Sequence, residues 1–254
     1  MNTERTYEET TFWETRESWT VMGDWLGREP ALQMLNPKNG ETIIDAGCGE
    51  GLLTQAIACS GAHVIACDRS ERMLFRAEER EEEKPSGITR FVLLDICERL
   101  PRSVRRVDAV NCVAVLMHDS ADECAAFFRN VYAKLRSGGR LVISITHPYL
   151  YLPGSPTCDG RSTWTQFEPL EGDASMDVSR KFIEHYRNIN GQMFDAEVWY
   201  HPEHLFPKLL QEAGLEVVKV QSTFVRAEHI AKSPLWVGSP SGHPAYYQIL
   251  AVKP

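Results

Sequence analysis

Two rhythms of apolar residues alternate along this chain. Short, near-continuous apolar runs at 42–45, 62–67, 89–94, 107–113 and 140–146 predict buried strands. Between them, 51–60, 70–83 and 121–136 are spaced as helices, with Leu52, Leu53 and Ile57 opening the first. Strand and helix in regular alternation predict a parallel sheet covered on both faces. A helix over 203–213 and strands over 215–224 and 245–252 complete the pattern, the last two as an antiparallel pair. Ser137-Gly138-Gly139 predicts the stop of the 121–136 helix. The charge run EEREEEK, residues 78–84, reads as a solvated helix face.

Two segments break the rhythm. Residues 1–36 place Tyr7, Phe12, Trp13, Trp19 and Trp25 among acids and threonines, and Phe12, Trp19, Met22 and Leu26 share a helical face. One or two short helices are expected there, as packing on the main domain or as a lid over its ligands. Residues 147–202 are rich in proline, glycine and aromatics, and are too long for a plain connection. They predict an inserted cap with a helix over 176–187 and a strand over 193–200. Trp13, Tyr149, Tyr186, Trp199 and Tyr200 are the aromatic candidates for a substrate pocket, with Glu168, Glu171 and His185 beside them. The competing reading gives these aromatics to the cap's own small core.

Composition narrows the function. The chain has 254 residues, a net charge of −8 and no basic cluster beyond RSVRR at 102–106, which disfavours a nucleic-acid partner. No apolar run reaches the ~18 residues of a membrane span, and MNTERTYEETTFWETRE has no signal-peptide core. A cytoplasmic monomer or homodimer acting on a small molecule is the expectation. Seven dispersed cysteines without a C-x-x-C pair read as reduced thiols. His201 and His204 lack a readable third ligand, so no metal is expected.

The chemistry gathers at Glu41–Leu53, ETIIDAGCGEGLL. A strand ends on Asp45, and Gly47, Gly49 and Gly51 follow at alternate positions before a helix begins. Glycines there permit positive φ and let a ligand approach the backbone. The spacing is G-x-G-x-G rather than the G-x-G-x-x-G of dinucleotide sites. An acid just before the loop repels a pyrophosphate but suits an ammonium group.

Residues 43–54, IIDAGCGEGLLT, resemble motif I of the class I S-adenosylmethionine (SAM)-dependent methyltransferases. The likeness continues through VIACDRSERM at 64–73 and FVLLD at 91–95, and covers about residues 40–146 closely. It implies an α/β fold: a seven-stranded, doubly wound, mostly parallel sheet of the Rossmann-like methyltransferase type, with an N-terminal helical lid (1–36) and a domain (37–254) carrying the 147–202 cap after its fifth strand. SAM is the implied cofactor and S-adenosylhomocysteine the product. Gly47, Cys48 and Gly49 would form the loop against the methionine part, and Asp45 would meet its amino group. Asp68, 23 residues past Asp45, would accept the ribose hydroxyls. Arg69 and Met73 would flank the adenine, Asp95 and Ile96 would meet its amino edge, and Asn111 and Val113 would lie under the sulfonium.

The implied reaction is methyl transfer to an O, N or C atom of a metabolite or natural-product intermediate. A SAM-dependent enzyme of another reaction class and a non-catalytic SAM-binding module remain open, because fold does not fix function. The Asn-Pro-Pro-aromatic motif of amino-methylating relatives is missing, since Cys112 and Val113 follow Asn111. If the acceptor arrives protonated a base is needed, and His147 and His118 are the candidates. Each has a plainer reading: His118 as a helix-start or packing residue, His147 as a loop-orienting one.

Overall fold

The computed structural model describes residues 23–83, 89–101, 106–162, 165–170, 175–187, 193–232, 238 and 240–254. The predicted alternation is present. In chain order the elements are α1 (Glu29–Leu35), β1 (Thr42–Ala46), α2 (Leu52–Ala58), β2 (His63–Asp68), α3 (Glu71–Glu83), β3 (Thr89–Leu93) and β4 (Val107–Val113). Then come α4 (Ala121–Lys134), β5 (Leu135–Thr146), β6 (Thr165–Pro169), β7 (Arg180–Arg187) and β8 (Met193–Tyr200). The chain closes with α5 (Leu205–Glu212), β9 (Glu216–Phe224), α6 (Ala227–Lys232) and β10 (Pro244–Val252).

Seven strands form one sheet in the order β3-β2-β1-β4-β5-β10-β9, and β10 runs antiparallel to both neighbours. Adjacent residues of β1 feed opposite faces: Ile43 packs with Ala31, Leu35, Ile57 and Val142, while Ile44 packs with Val110, Phe127, Phe128 and Leu141. That period-two split is why these strands read as unbroken apolar runs. Strand order reverses between β1 and β4, which opens a crevice at their carboxyl ends.

The structure departs from expectation in two places. The predicted helix over 176–187 is instead the strand β7, in a separate three-stranded antiparallel sheet β6-β7-β8. Phe182 and Glu184 bury one face of β7, and its register places them opposite Val198 and Ala196. Ser137-Gly138-Gly139 does not stop a helix, because α4 ends at Lys134 and these residues lie within β5. The N-terminal stretch 1–22, including Trp13, lies outside the described residues.

Residues 23–35 form a built-in layer of the domain. Gly23–Arg28 makes a π-helical turn, and the Leu26 carbonyl accepts from Thr223 Oγ1 (2.6 Å) and Gln248 Nε2 (2.8 Å). Ala31 and Leu35 of α1 are fully buried against the sheet.

The cap sheet has its own apolar core of Tyr151, Phe167, Phe182, Val198 and Tyr200, in which the Tyr151 and Phe167 rings stack 4.1 Å apart. Among the described residues no helix is long and apolar enough to cross a membrane.

Candidate active site

The crevice holds an open cleft, at the switch point where such sheets bind ligands. Its floor is the glycine loop after β1. Gly47 (φ 71°), Gly49 (φ 53°) and Gly51 (φ 79°) all occupy the left-handed region. A side chain at Gly47 would place its Cβ 2.3 Å from Val115 Cγ2, whereas nothing lies within 4 Å of that point at Gly49. Gly47 is thus fixed by packing, and Gly49 leaves room for a ligand to reach the main chain.

The three acids at strand ends differ in their partners. Asp45 is buried, and its two oxygens accept from Thr54 Oγ1 (2.6 Å) and Asn111 Nδ2 (2.8 Å). Burial raises its carboxyl above the ordinary range, and the two hydrogen bonds act against that rise. Asp68 accepts the Gly49 N–H at 2.8 Å and the Ser70 N–H at 2.9 Å, so it braces the loop while facing the cleft. Its carboxyl is also raised by burial. Asp95 accepts the Cys97 N–H at 2.8 Å. Arg69 Nη1 stands 4.0 Å from Asp95 Oδ2 and 3.5 Å from Asp119 Oδ1.

Of the residues expected at the cofactor, Asp45, Gly47, Cys48, Gly49, Asp68, Arg69, Met73, Asp95, Ile96 and Val113 all line this cleft. Asn111 does not. It is wholly buried behind Asp45, on the neighbouring strand in register with it, and it orients that carboxylate. Arg28 and Asp119 line the cleft and escaped sequence reasoning. Arg28 lies in an irregular turn with no periodic signal, and Asp119, one residue before the Ser120 cap of α4, reads as an ordinary helix-start acid.

The two histidines separate. His118 lines the cleft from the 3-10 turn after β4, and its ring bonds the main chain of Glu197 on the cap strand β8. Burial lowers its pKa to about 4. His147, the sequence favourite for a base, sits outside the cleft lining. Its Nδ1 accepts the Tyr149 N–H at 3.1 Å, capping a 3-10 turn, and its Nε2 lies 3.1 Å from Ser222 Oγ and 3.2 Å from Glu203 Oε1. With the lone pair on Nδ1 engaged, the neutral ring donates from Nε2. Burial lowers this histidine to about 4 as well. His147 therefore caps a turn and lies outside the cleft lining, whereas His118 lies within it.

The cap aromatics also sort. Tyr200 is buried, and its hydroxyl donates to the Met176 carbonyl at 2.7 Å, so it belongs to the cap core rather than to a pocket wall. Trp199 is half-buried, with Lys181 Nζ 5.4 Å over its ring and the His201 ring stacked at 6.4 Å. Tyr149 stacks on His243 at 6.4 Å. The side chain of Tyr186 and all of Glu171 lie outside the described set. His185 is held between Asp195 (2.6 Å) and Glu168 (3.3 Å) on the cap surface. Among the described residues there is no group of three or more side chains suited to a metal ion.

Comparison with known proteins agrees with this geometry. A family model described as a methyltransferase domain matches residues 43–139. A ubiquinone biosynthesis O-methyltransferase of Coxiella burnetii is 30% identical over 146 residues, covering 50% of this chain and 61% of that protein. The chain therefore matches less than two thirds of that relative's length. An S-adenosylmethionine-dependent methyltransferase from Clostridium acetobutylicum shares the fold at a TM-score of 0.62 and 16% identity, covering 95% of this chain and 98% of that one. The 1,6-didemethyltoxoflavin-N1-methyltransferase of Burkholderia thailandensis, solved with bound 1,6-didemethyltoxoflavin and S-adenosylhomocysteine, has a TM-score of 0.56 at 19% identity, covering 96% of this chain and 84% of that one.

Proposed function

We propose that this chain, which over residues 43–139 belongs to the methyltransferase-domain family, binds SAM in the β1–β4 cleft and transfers its methyl group to a small-molecule acceptor presented under the cap. The observation that carries this reading is the glycine loop framed by Asp45 and Asp68 at adjacent strand ends. The residues fit the cofactor: open space at Gly49 admits it to the main chain, and Asp68 is held facing the cleft by two N–H donors. Asp45, steadied by Thr54 and Asn111, supplies negative charge near the loop for an ammonium group. When bound, SAM supplies a methyl group on a sulfonium, already a strong electrophile.

The protein's share of the chemistry is then placement and exclusion of water. His118 is neutral near pH 7, since its pKa is about 4, and from the cleft wall it orients an acceptor better than it takes up a proton for long. The β6-β7-β8 sheet is the support for acceptor selection, because loops and insertions carry specificity on such scaffolds. The name of the Coxiella relative supports a small organic acceptor and O-methylation as the first chemistry to try.

The test is calorimetry with SAM, S-adenosylhomocysteine and NAD, followed by a mass-spectrometric screen of metabolites for SAM-dependent gain of one methyl group. SAM binding without NAD binding, and at least one methylated product, are expected. NAD binding without SAM heat would overturn the assignment.

A further inference from the structure

Arg80 stands in the charge run of α3, yet its side chain points inward. Its Nε donates to the Glu50 carbonyl oxygen at 2.9 Å, and Nη2 lies 3.5 Å from Glu50 Oε2. The two side chains are only 15% and 12% exposed, in that order. A pair so shielded is screened less than one in open solvent. Glu50 lines the cleft and Arg80 does not. The guanidinium therefore approaches the glycine loop from behind.

Glu50 sits where that loop most needs support. Gly47 and Cys48 are tied to β2, since both N–H groups donate to the Cys67 carbonyl, at 2.7 and 2.9 Å. Past Cys48 the chain leaves the strand, and Gly49 and Gly51 flank Glu50 in left-handed backbone. Side-chain packing does not hold Gly49, because nothing lies within 4 Å of its Cβ position. Glycine leaves such a conformation more easily than other residues, so hydrogen bonds from outside decide the shape of the loop. Two of them come from one stretch of chain, β2 to α3. Asp68 accepts the Gly49 N–H at 2.8 Å, and Arg80 donates to the carbonyl of the next residue. The same helix packs closely there: a Cβ on Gly51 would lie 3.1 Å from that of Ala77.

We propose that Arg80 is a positioning residue for the cofactor site: it fixes the Glu50 carbonyl and so holds the Gly49 main chain open to SAM. The assignment rests on the SAM reading and adds to it a residue outside the cleft lining. A loop ordered beforehand spares binding the cost of ordering it. The residue type matters. The fork of a guanidinium holds a main-chain oxygen with one nitrogen and a carboxylate with another, which a single ammonium does less well. Asp68 and Arg80 thus grip the loop on successive residues, one as acceptor and the other as donor.

Two readouts test this, with melting curves beside them: amide hydrogen exchange of Gly49 and Gly51 in the ligand-free protein, and calorimetric titration with S-adenosylhomocysteine. The variants are Arg80→Gln, Arg80→Lys and, as a control from the same charge run, Glu79→Gln at an exposed position. Arg80→Gln is expected to speed exchange at both glycines by about tenfold, as local opening becomes easier. It should weaken S-adenosylhomocysteine about tenfold as well, the scale of one hydrogen bond to a charged group. Arg80→Lys keeps the charge without the fork and should fall between, while Glu79→Gln should match the parent in both readouts. If Arg80→Gln does not fold, Arg80→Lys carries the same comparison. A merely structural arginine would lower the melting temperature and leave exchange and affinity as in the parent, and that result overturns the proposal. So does an equal loss of affinity in Glu79→Gln, which would make the effect one of net charge. Failure of the parent to bind S-adenosylhomocysteine would instead strike the SAM reading, and the exchange data still show whether Arg80 braces the loop.

Discussion

The imidazole Nε2 of His201 lies 3.0 Å from the main-chain carbonyl oxygen of Asp119, and 3.2 Å from that of Leu116. A residue just past the last cap strand therefore donates to the backbone of the loop that carries His118 and Asp119 into the cleft. Its other nitrogen, Nδ1, accepts from Ser179 Oγ at 2.9 Å, so the ring is spent on structure. Cap and cleft share one hydrogen-bonded seam.

That seam has a pH signature. Burial lowers the His201 pKa to about 4 from an ordinary 6.5, so the unfolded chain takes up its proton first as pH falls. The stability due to neutral His201 is complete above about pH 6.5 and is lost progressively toward pH 4. Replacing His201 by Asn should cost about 1–3 kcal/mol at pH 7.5 through the unmatched carbonyls. The gap to the parent should narrow by up to about 2 kcal/mol at pH 5. Urea denaturation of both proteins at the two pH values checks this, and a pH-independent gap would refute it.

The glycine loop gives a steric prediction. Gly47→Ala brings a Cβ to 2.3 Å from Val115 Cγ2 and leaves a non-glycine residue at φ 71°. It should lower stability by about 1–3 kcal/mol. Truncating the neighbour in the pair Gly47→Ala, Val115→Ala should recover the contact part of the loss but not the backbone part. Thermal melts of the single and double variants separate the two.

The fold and the glycine-loop end of the cleft were legible because their determinants are local. Glycines at alternate positions after an apolar run specify the loop, and Asp45, Asp68 and Asp95 each close such a run. The cap was misjudged at β7 because Glu184 sits on its buried face, bonded by Thr165 Oγ1 at 2.9 Å, and so hides the period of two. The roles of His147 and His201 depend on partners such as the Tyr149 N–H and the Asp119 carbonyl. Main-chain partners leave no residue-type signature for a pattern to find. Asn111 reads as a strand-end ligand by position, and only the β1–β4 register shows it turned toward Asp45.

Asp68 braces the glycine loop through the Gly49 and Ser70 N–H groups. Under the proposed SAM binding it would also hold the ribose, so its variants should reveal both. Hydrogen bonds to a charged carboxylate are worth about 1.5–3 kcal/mol each, so loss of two ribose contacts in Asp68→Ala should raise the SAM Kd at least about a hundredfold. The same change strips the Gly49 and Ser70 N–H groups of their acceptor, so stability should fall too. Asp68→Asn keeps one acceptor oxygen and should lose less of each. Calorimetric titration beside denaturation curves reads the two effects separately, and unchanged SAM affinity in Asp68→Ala would move the ribose elsewhere.

His118 and His147 should part under the same substitution. His118 lines the cleft, whereas both nitrogens of His147 are engaged by Tyr149 on one side and by Ser222 and Glu203 on the other. Once an acceptor is known, His118→Gln should lower kcat by about 10²-fold, the lower range for loss of a positioned acid–base or orienting group. His147→Gln should keep kcat within a few-fold and instead lower the melting temperature, because it uncaps the turn at Pro148–Tyr151. Since burial holds His118 near pKa 4, parent turnover should not show a histidine inflection between pH 6 and 8. Steady-state kinetics against pH, with melting curves for each variant, make the comparison. A hundredfold loss in His147→Gln with unchanged stability would return the catalytic role to that residue.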